Sequence, residues 1–428
     1  MRARLRRFIV GAVCVSIGAV FCGIGGVSPA GAGTVELKFL HKWPEPERIP
    51  YFQAVVKEFE TANPNIKISM EAVADEPMKD KLRVMMGGSV PDIFFSWSGE
   101  FAKKFVRAGA ATDLTPYFRE DPDLKGRFAP SLVKPTTFDG KIYGVPFRFS
   151  AKFFVYNKEI FAKSKLQPPK TWNDLLGACQ TLKGGGVTAI ALGNQAPWAS
   201  AHYLTTLNQK IVPEDIRDRD YEPKTGEFKD PGYVKALEAL KTLNERCFNP
   251  NVNTTSHEMS RQMFYAGKVG IIYDELPNFL RRYEANIPGK WDFFGFPDIA
   301  DGKGKRNVIT GAPDVFLVSA KTKYPKEALA FLKFLTNKAN AGRLVKELGF
   351  PSPVIGATNE QTAIPQIIEA MKMVEKADGL AEWLDTAMEA RVVDVYLGNL
   401  QQLLGNTKTP AQIMKEVQEV AERVKKEM

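Results

Sequence analysis

The amino-acid sequence predicts an α/β protein of two lobes, and three observations lead there. The chain has 428 residues, beyond the roughly 250–300 at which a single hydrophobic core stops growing. Up to Trp97 it alternates strand-like and helix-like segments, the order that gives a mostly parallel sheet covered on both faces. The same alternation restarts after Tyr143, as a second unit of the same kind would require.

The elements follow in order. "VELKFLHKW" (35–43) places Val35, Leu37 and Phe39 on one face, the periodicity of a strand. Phe52, Val55, Val56 and Phe59 recur at helical spacing, so a helix is expected from Ile49 to Thr61, stopped by Asn63-Pro64-Asn65. "IKISMEAV" reads as a second strand and "MKDKLRVMM" as a short helix. After Gly87-Gly88, "PDIFFSW" (91–97) is a nearly all-apolar third strand. In the second unit, "YGVPFRFSAKFFVYN" is extended, and "TWNDLLGACQTLKGG" is a helix with Thr171 as its cap and glycines at its end. "VTAIAL" (187–192) is a buried-type strand, and Val234, Leu237, Leu240 and Leu243 mark a helix. "GKVGIIYDE" is strand-like and "LPNFLRRYEA" helical. "WDFFGFPDI" is extended before the loop "DGKGK", and "DVFLVSA" returns as a strand. The helix "YPKEALAFLKFLTN" turns Ala328, Phe331, Leu332 and Leu335 inward. From Pro365 onward the chain reads as helices, with no internal repeat and no low-complexity tract.

The beginning of the chain reads as an export signal. Met1 to Arg7 hold four arginines and no acid, Phe8 to Cys22 is almost wholly apolar, and Ala30-Gly31-Ala32 has a small-residue cleavage pattern. The apolar stretch is shorter than the roughly 20 residues of a membrane span and is broken by glycines. A signal peptide over 1–32 and a soluble periplasmic protein are therefore expected. Cys14 and Cys22 follow the bulky Val13 and Phe21, which makes them poor lipidation sites. Loss of the signal arginines lowers the net charge from +9 to +5, with no dense basic run of the kind nucleic-acid binding needs. Cys179 and Cys247 either form a disulfide or stay as two buried thiols. No CxxC and no zinc spacing occurs, so neither a metal nor a cofactor is expected.

One stretch, "YGVPFRFSAKFFVYNKEIF" (143–161), sets Arg148 and Lys152 inside what otherwise reads as buried sheet. Taken with "VELKFLHKW", "FETANPNIKI", "DKLRVMMGGSVPDIFFSW", "LTPYF", "DGKIYGVPF", "VYNKEIF" with "PPKTWNDLL", "FYAGKVGIIYD", "KEALAFLKFLT" and "GNTKTPAQIMKEV", it resembles the extracellular solute-binding proteins of bacterial ABC importers. The likeness is to the carbohydrate-type, maltose-binding-protein-like family (family 1), and it spans nearly the whole mature chain. No single motif is diagnostic; their order is. The resemblance implies a type II-like periplasmic-binding-protein fold in which each lobe is a mostly parallel sheet flanked by helices. Residues 33–146 and 298–348 would form the N-terminal lobe, and 147–297 and 349–428 the C-terminal lobe. The chain would cross between them near Val145–Arg148, Gly295–Pro297 and Gly349–Pro353, where proline and glycine suit a hinge. A ligand would sit between the lobes at the strand carboxyl ends. Arg148, Ser150 and Lys152 follow the first crossing and are expected to face that cleft. The implied partners are a small-molecule ligand and membrane permease subunits; a monomer is expected.

Sugars present apolar C–H faces ringed by hydroxyls, which call for aromatic platforms beside carboxylates and amides. Trp43 and Trp97 fall where predicted strands end, and Trp198 lies in the loop "GNQAPWAS", where the resemblance implies an aromatic ligand contact. Trp172, just inside a helix start, reads as structural, while Trp291 and Trp383 are open. Glu45, Glu100, Asp274, Glu275 and Asp314 are the candidate acceptors, with Ser96 beside Trp97. The resemblance places ligand contacts in "TGAPDVF", hence Gly311 and Asp314, and in "ARVVDVYLG", hence Asp394 and Tyr396, with Arg391 a weaker candidate. "DELPNF" lacks the tryptophan that relatives offer in that loop, which favours polar contacts there over a long stacked oligosaccharide.

Other classes find less support. A glycosidase needs a carboxyl pair with one raised pKa, which the sequence does not reveal. "SLVK" (131–134) and "KTG" (224–226) echo serine acyltransferase motifs without the S-D-N element. GxSxG, HExxH and phosphate-binding glycine loops are absent, and His41, His202 and His257 are scattered. Within binding proteins, an acidic sugar, a glycerol-phosphate derivative or a polyamine are the alternatives to a neutral sugar. The sequence thus points to capture of a mono- or oligosaccharide without catalysis, and delivery to a permease.

Overall fold

The computed structural model describes residues 34–86, 88 and 90–428. The expected signal peptide, with Cys14 and Cys22, lies outside the described residues. Among the described residues there are eleven strands: β1 (Val35–His41), β2 (Ile66–Ala72), β3 (Ile93–Trp97), the small hairpin β4 (Thr137–Phe138) and β5 (Lys141–Ile142), β6 (Gly144–Asn157), β7 (Thr188–Ala191), β8 (Val269–Glu275), β9 (Trp291–Phe294), β10 (Val308–Val318) and β11 (Gly379–Ala381).

The expected parallel pairings are β1 with β2 and β3, and β7 with β8. Two long antiparallel strands join these sets. β10 pairs with β3 and with the first part of β6, and the last part of β6 pairs with β8 and β9. The sheet therefore runs β2-β1-β3-β10-β6-β8-β7 without a break. The molecule is two-lobed because the apolar residues along it fall into separate clusters. Leu37, Phe39, Phe94, Val145, Phe147 and Phe316 belong to one, closed by the helices Ile49–Ala62 and Pro325–Leu335. Further along β6, Phe149, Phe153 and Val155 belong to a second cluster, and Phe154, on the opposite face, to a third that is filled by helices.

These clusters show where the chain passes from one lobe to the other. Along β6 the change of cluster falls between Phe147 and Phe149. The second passage does not lie at Gly295–Pro297. Phe294 sits in the helix-filled core, and Phe296 and Ile299 pack against it. β10 makes that passage instead, since Ile309 packs against one cluster and Ala312 belongs to the other. Gly349–Pro353 also stays with the first core, which includes Phe350, Val354 and Ala357.

Local chemistry accounts for the remaining departures. Thr171 does cap the helix Trp172–Gly184, in a capping box with Asp174. The helix expected over "LPNFLRRYEA" is a 3₁₀ turn, Leu276–Asn278, followed by a π-helical turn, Phe279–Glu284. Asn278 and Tyr283 both reach back to Asp274, and the wider π winding brings residues five apart toward one face. In the tail, β11 pairs with β10. The residues after it thread between the lobes, with Trp383 in one core and Leu384 in another. Cys179 and Cys247 form a disulfide across 68 residues, with Cα atoms 5.2 Å apart. Among the described residues, no helix is long and apolar enough to cross a membrane.

Candidate functional site

Between the lobes lies a cavity of about 230 Å³. One wall grows from the ends of β1 and β3. The Trp43 indole, 1% exposed, stacks on Phe52 with ring centroids 5.5 Å apart and planes at 7°. Next to it, the Lys42 ammonium lies 4.8 and 4.7 Å from the Phe95 and Trp97 ring centroids. It also reaches Asp75 at 3.0 Å and Asp314 at 3.6 Å. Asp314 accepts from Arg148 Nε at 2.5 Å, and the Arg148 guanidinium covers the Phe350 ring at 4.6 Å. Asp314 is thus a bridge between two cations, both on its Oδ2, and its Oδ1 is what remains for a ligand. Arg48 pairs with Glu45 at 3.2 Å. Burial, reinforced by Arg148 and Arg282, brings its pKa down to about 10.

The facing wall is arranged around one carboxylate. Asp274, 0% exposed, accepts from Arg261 Nε at 2.8 Å, Tyr283 Oη at 2.6 Å, Asn278 Nδ2 at 3.0 Å and its own neighbour's amide, Glu275 N, at 2.7 Å. His257 Nε2 lies 3.3 Å away. Burial alone would raise the Asp274 pKa, but Arg261 and His257 hold it well below the usual carboxylate range. Burial, aided by Arg261, lowers His257 to about 4, so its imidazole is neutral at pH 7 and donates Nε2–H to Asp274. Trp198 opens the helix Trp198–Ile211, with His257 edge-on at 4.8 Å and His202 at 5.2 Å. Glu275 accepts from Ser150 Oγ at 3.2 Å. Burial would push its pKa up, yet Lys152 and Arg148 bring it to about 2.

The tail completes the enclosure. Trp383 packs on His202 with centroids 4.5 Å apart. Asp385 meets Lys79, on the helix Asp75–Met86, at 3.4 Å and His202 at 3.5 Å. The backbone is pinned there by Leu384 N donating to Thr205 Oγ1 at 2.9 Å.

Of the sequence-predicted site residues, the structure brings Trp43, Glu45, Trp97, Arg148, Trp198, Glu275 and Asp314 to the cavity lining, together with Ser150. The others stand elsewhere. Ser96 is buried on the opposite face of β3 from Trp97, and its hydroxyl donates to the Trp97 carbonyl. Glu100 is ion-paired with Arg107. Asp274 lies behind the wall, since neighbours on a strand face opposite ways. Gly311 serves strand packing, because a Cβ there would come within 2.5 Å of the Ser150 carbonyl oxygen. Asp394 is exposed on the helix Ala390–Leu404. Tyr396 is buried against Met414, and Arg391 pairs with Glu389 and Glu427. Sequence reasoning missed Lys42, Arg48, Lys79, His202, His257, Arg261, Arg282 and Asp385 as lining residues. Lys42 and Arg48 were readable from their place beside Trp43; the others come from helices and the tail, and carry no local signal.

Chemically the lining offers both donors and acceptors, with indoles between them. Glu275 and Asp385 are both held below the ordinary carboxylate range, Asp385 because Lys79 and His202 outweigh the upward push of burial. A glycosidase acid requires the opposite shift. Among the described residues, no group of His, Cys, Asp and Glu is arranged to hold a metal ion.

This architecture recurs in known proteins. A chitin oligosaccharide binding protein superposes with a TM-score of 0.83 at 23% identity, over 92% of this chain and 99% of that one. An ABC transporter extracellular-binding protein of Pyrococcus horikoshii is 28% identical over 362 residues, covering 77% of each chain. The multiple sugar-binding protein of Streptococcus mutans is 25% identical over 342 residues, 75% of this chain and 76% of its own. The family model for bacterial extracellular solute-binding proteins matches residues 43–342. With a two-lobed fold closed over a polar, indole-lined cavity, this chain belongs to the bacterial extracellular solute-binding protein family.

Proposed function

We propose that the protein is the substrate-binding component of an ABC importer, holding a mono- or oligosaccharide between its lobes and passing it unaltered to membrane permease subunits. The observation behind this reading is the lining itself. The indoles of Trp97, Trp198 and Trp383 stand among carboxylates and cations that are already paired with one another. Such pairs offer hydroxyl groups fixed donors and acceptors without demanding a charged ligand. The names of the Streptococcus mutans and chitin oligosaccharide relatives point the same way. The protein acts after export as a periplasmic monomer. Residues from β1, β3 and the Asp75–Met86 helix form one half-site, and those from β8 and the Trp198–Ile211 helix the other. A ligand that bridges them favours the closed arrangement by its differential affinity.

A second reading, an acidic sugar or glycerol-phosphate derivative, is favoured by Arg48, whose proton affinity is lowered by burial and further by the nearby Arg148 and Arg282. A polyamine is disfavoured, because Asp314 and Asp385 already hold lysine or arginine partners.

Thermal unfolding against neutral sugars, sugar acids, sugar phosphates and polyamines tests the proposal. A ligand at 100 times its dissociation constant adds about 2.7 kcal/mol, and stabilisation by neutral sugars is expected. Hits confined to polyamines would refute the carbohydrate reading, and turnover of a glycoside would refute capture without chemistry.

A further inference from the structure

Below the floor of the main cavity lies another, of about 560 Å³, within the range of small-molecule sites. It opens between the β9–β10 connection and the start of the helix Trp172–Gly184. Its lining has five cationic side chains, Lys152, Lys170, Lys210, Arg306 and Lys376, and one carboxylate, Asp298. Asp298 already pairs with Lys210 at 3.3 Å, and among the described residues the other four cations have no carboxylate within 4.0 Å.

Lys152 is the telling one. It is only 3% exposed. Its ammonium lies 5.5 Å from the Trp198 ring centroid and 5.8 Å from that of Tyr273, and no hydrogen bond or ion pair within 4.0 Å is formed by it among the described residues. A buried ammonium without a partner is costly unless a ligand or water answers it. Burial lowers its proton affinity, and Glu275 offsets this only in part. Beside it, Thr206 Oγ1 lies 2.8 Å from Tyr273 Oη and 2.6 Å from Thr310 Oγ1, a chain of hydroxyls lining the same space. Phe294, Phe296 and Met373 supply an apolar side.

We propose that this second cavity binds a small organic anion, a carboxylate or phosphate ester, with Lys152 as the buried anchor and Lys170 and Lys376 at the mouth. The apolar side receives the carbon skeleton, and the hydroxyl chain donates to the remaining oxygens. The site is distinct from the carbohydrate cavity but adjoins it through Lys152, which lies near Trp198 and is electrostatically coupled to Glu275.

The test is calorimetric titration of the protein with citrate and, separately, glycerol 2-phosphate at constant ionic strength. Saturable binding of at least one is expected, and which of the two binds distinguishes carboxylate from phosphate. Lys152→Met is expected to weaken it at least ten-fold, and the exposed pair Lys170→Ala/Lys376→Ala about three-fold. Trp97→Ala, in the main cavity, is expected to leave the titration unchanged. Absence of saturable binding by either compound would overturn the proposal. So would unchanged binding in both lysine variants, or loss of binding in Trp97→Ala, which would place the anion in the main cavity. Should Lys152→Met not fold, the exposed pair decides.

Discussion

The two walls of the main cavity solve one problem in different ways. The wall on β1 and β3 spreads its cations over aromatic faces, with Lys42 on Phe95 and Trp97 and Arg148 on Phe350. The wall on β8 gathers its donors on Asp274, which has no exposed surface. Charge placed over rings is held by many small contacts, so loss of one is absorbed by the rest. Charge gathered on one carboxylate depends on that carboxylate. The first wall should therefore tolerate the loss of a single ring, with Asp314 as its one shared carboxylate, and the second should fail together.

The sharpest way to break this comparison is Asp274→Ala. It strands Arg261 without its buried partner, and a loss of about 3–5 kcal/mol is expected in urea unfolding. A loss no larger than that of a surface substitution would show that the hub is not what holds this wall. Next comes the disulfide, which is confined to the lobe that carries the hub. Replacing Cys179 and Cys247 by alanine frees a 68-residue loop and should cost about 2–4 kcal/mol, read as a lower thermal midpoint. Affinity should divide differently. Trp198→Ala and Trp97→Ala are each expected to cost about 1–3 kcal/mol of binding to the preferred sugar, by analogy with base stacking on aromatics. Equal affinity in both variants would remove the indoles as platforms.

The smallest effects are those of pH. His257 lies at about 4 in the folded protein against an ordinary 6.5. Its contribution to stability is thus complete above pH 6.5 and is lost as pH falls toward 4. Glu382 runs the other way. Burial, then Glu100, raises it to about 7 from 4.5, so its contribution is present below pH 4.5 and is lost as pH rises through 7. Gly99 makes room for it, since a Cβ there would overlap the Glu382 carboxylate. Glu382→Gln should therefore stabilise the protein at pH 8 by about 1 kcal/mol, discounted for partial exposure, and leave it unchanged at pH 4. A pH-independent difference would contradict the assignment.

Much of the fold was legible because its signals are local. Alternation indicated β1, a nearly all-apolar run indicated β3, and helical spacing placed Ile49–Ala62 to within a residue of its end. The residues at strand ends, Trp43, Trp97 and Glu275, followed from the same periodicity. That periodicity also explains two misplacements, Ser96 and Asp274, each the wrong-facing neighbour of a lining residue. The tail residues Asp394 and Tyr396 were inferred by likeness alone. The helix Ala390–Leu404 packs Tyr396 against the helix Pro410–Glu427 and turns Asp394 to solvent. What the sequence could not reveal was convergence. His202 and His257 lie 55 residues apart in number, yet they flank the same indole, and only the tertiary path between them brings that about. The position of the second passage was hidden for a related reason, because glycine and proline occur in loops as readily as in hinges, and Gly295–Pro297 lies in the loop after β9, beside the helix-filled core.

The 14-residue strand β6 has a consequence of its own. It is one unbroken ribbon carrying Arg148 toward Asp314 and, two alternate positions later, Lys152 beneath Trp198. Twisting it where Phe147 gives way to Phe149 must re-aim both basic groups together. A twist there therefore disturbs the Arg148–Asp314 pair and the Lys152–Trp198 contact in a single movement.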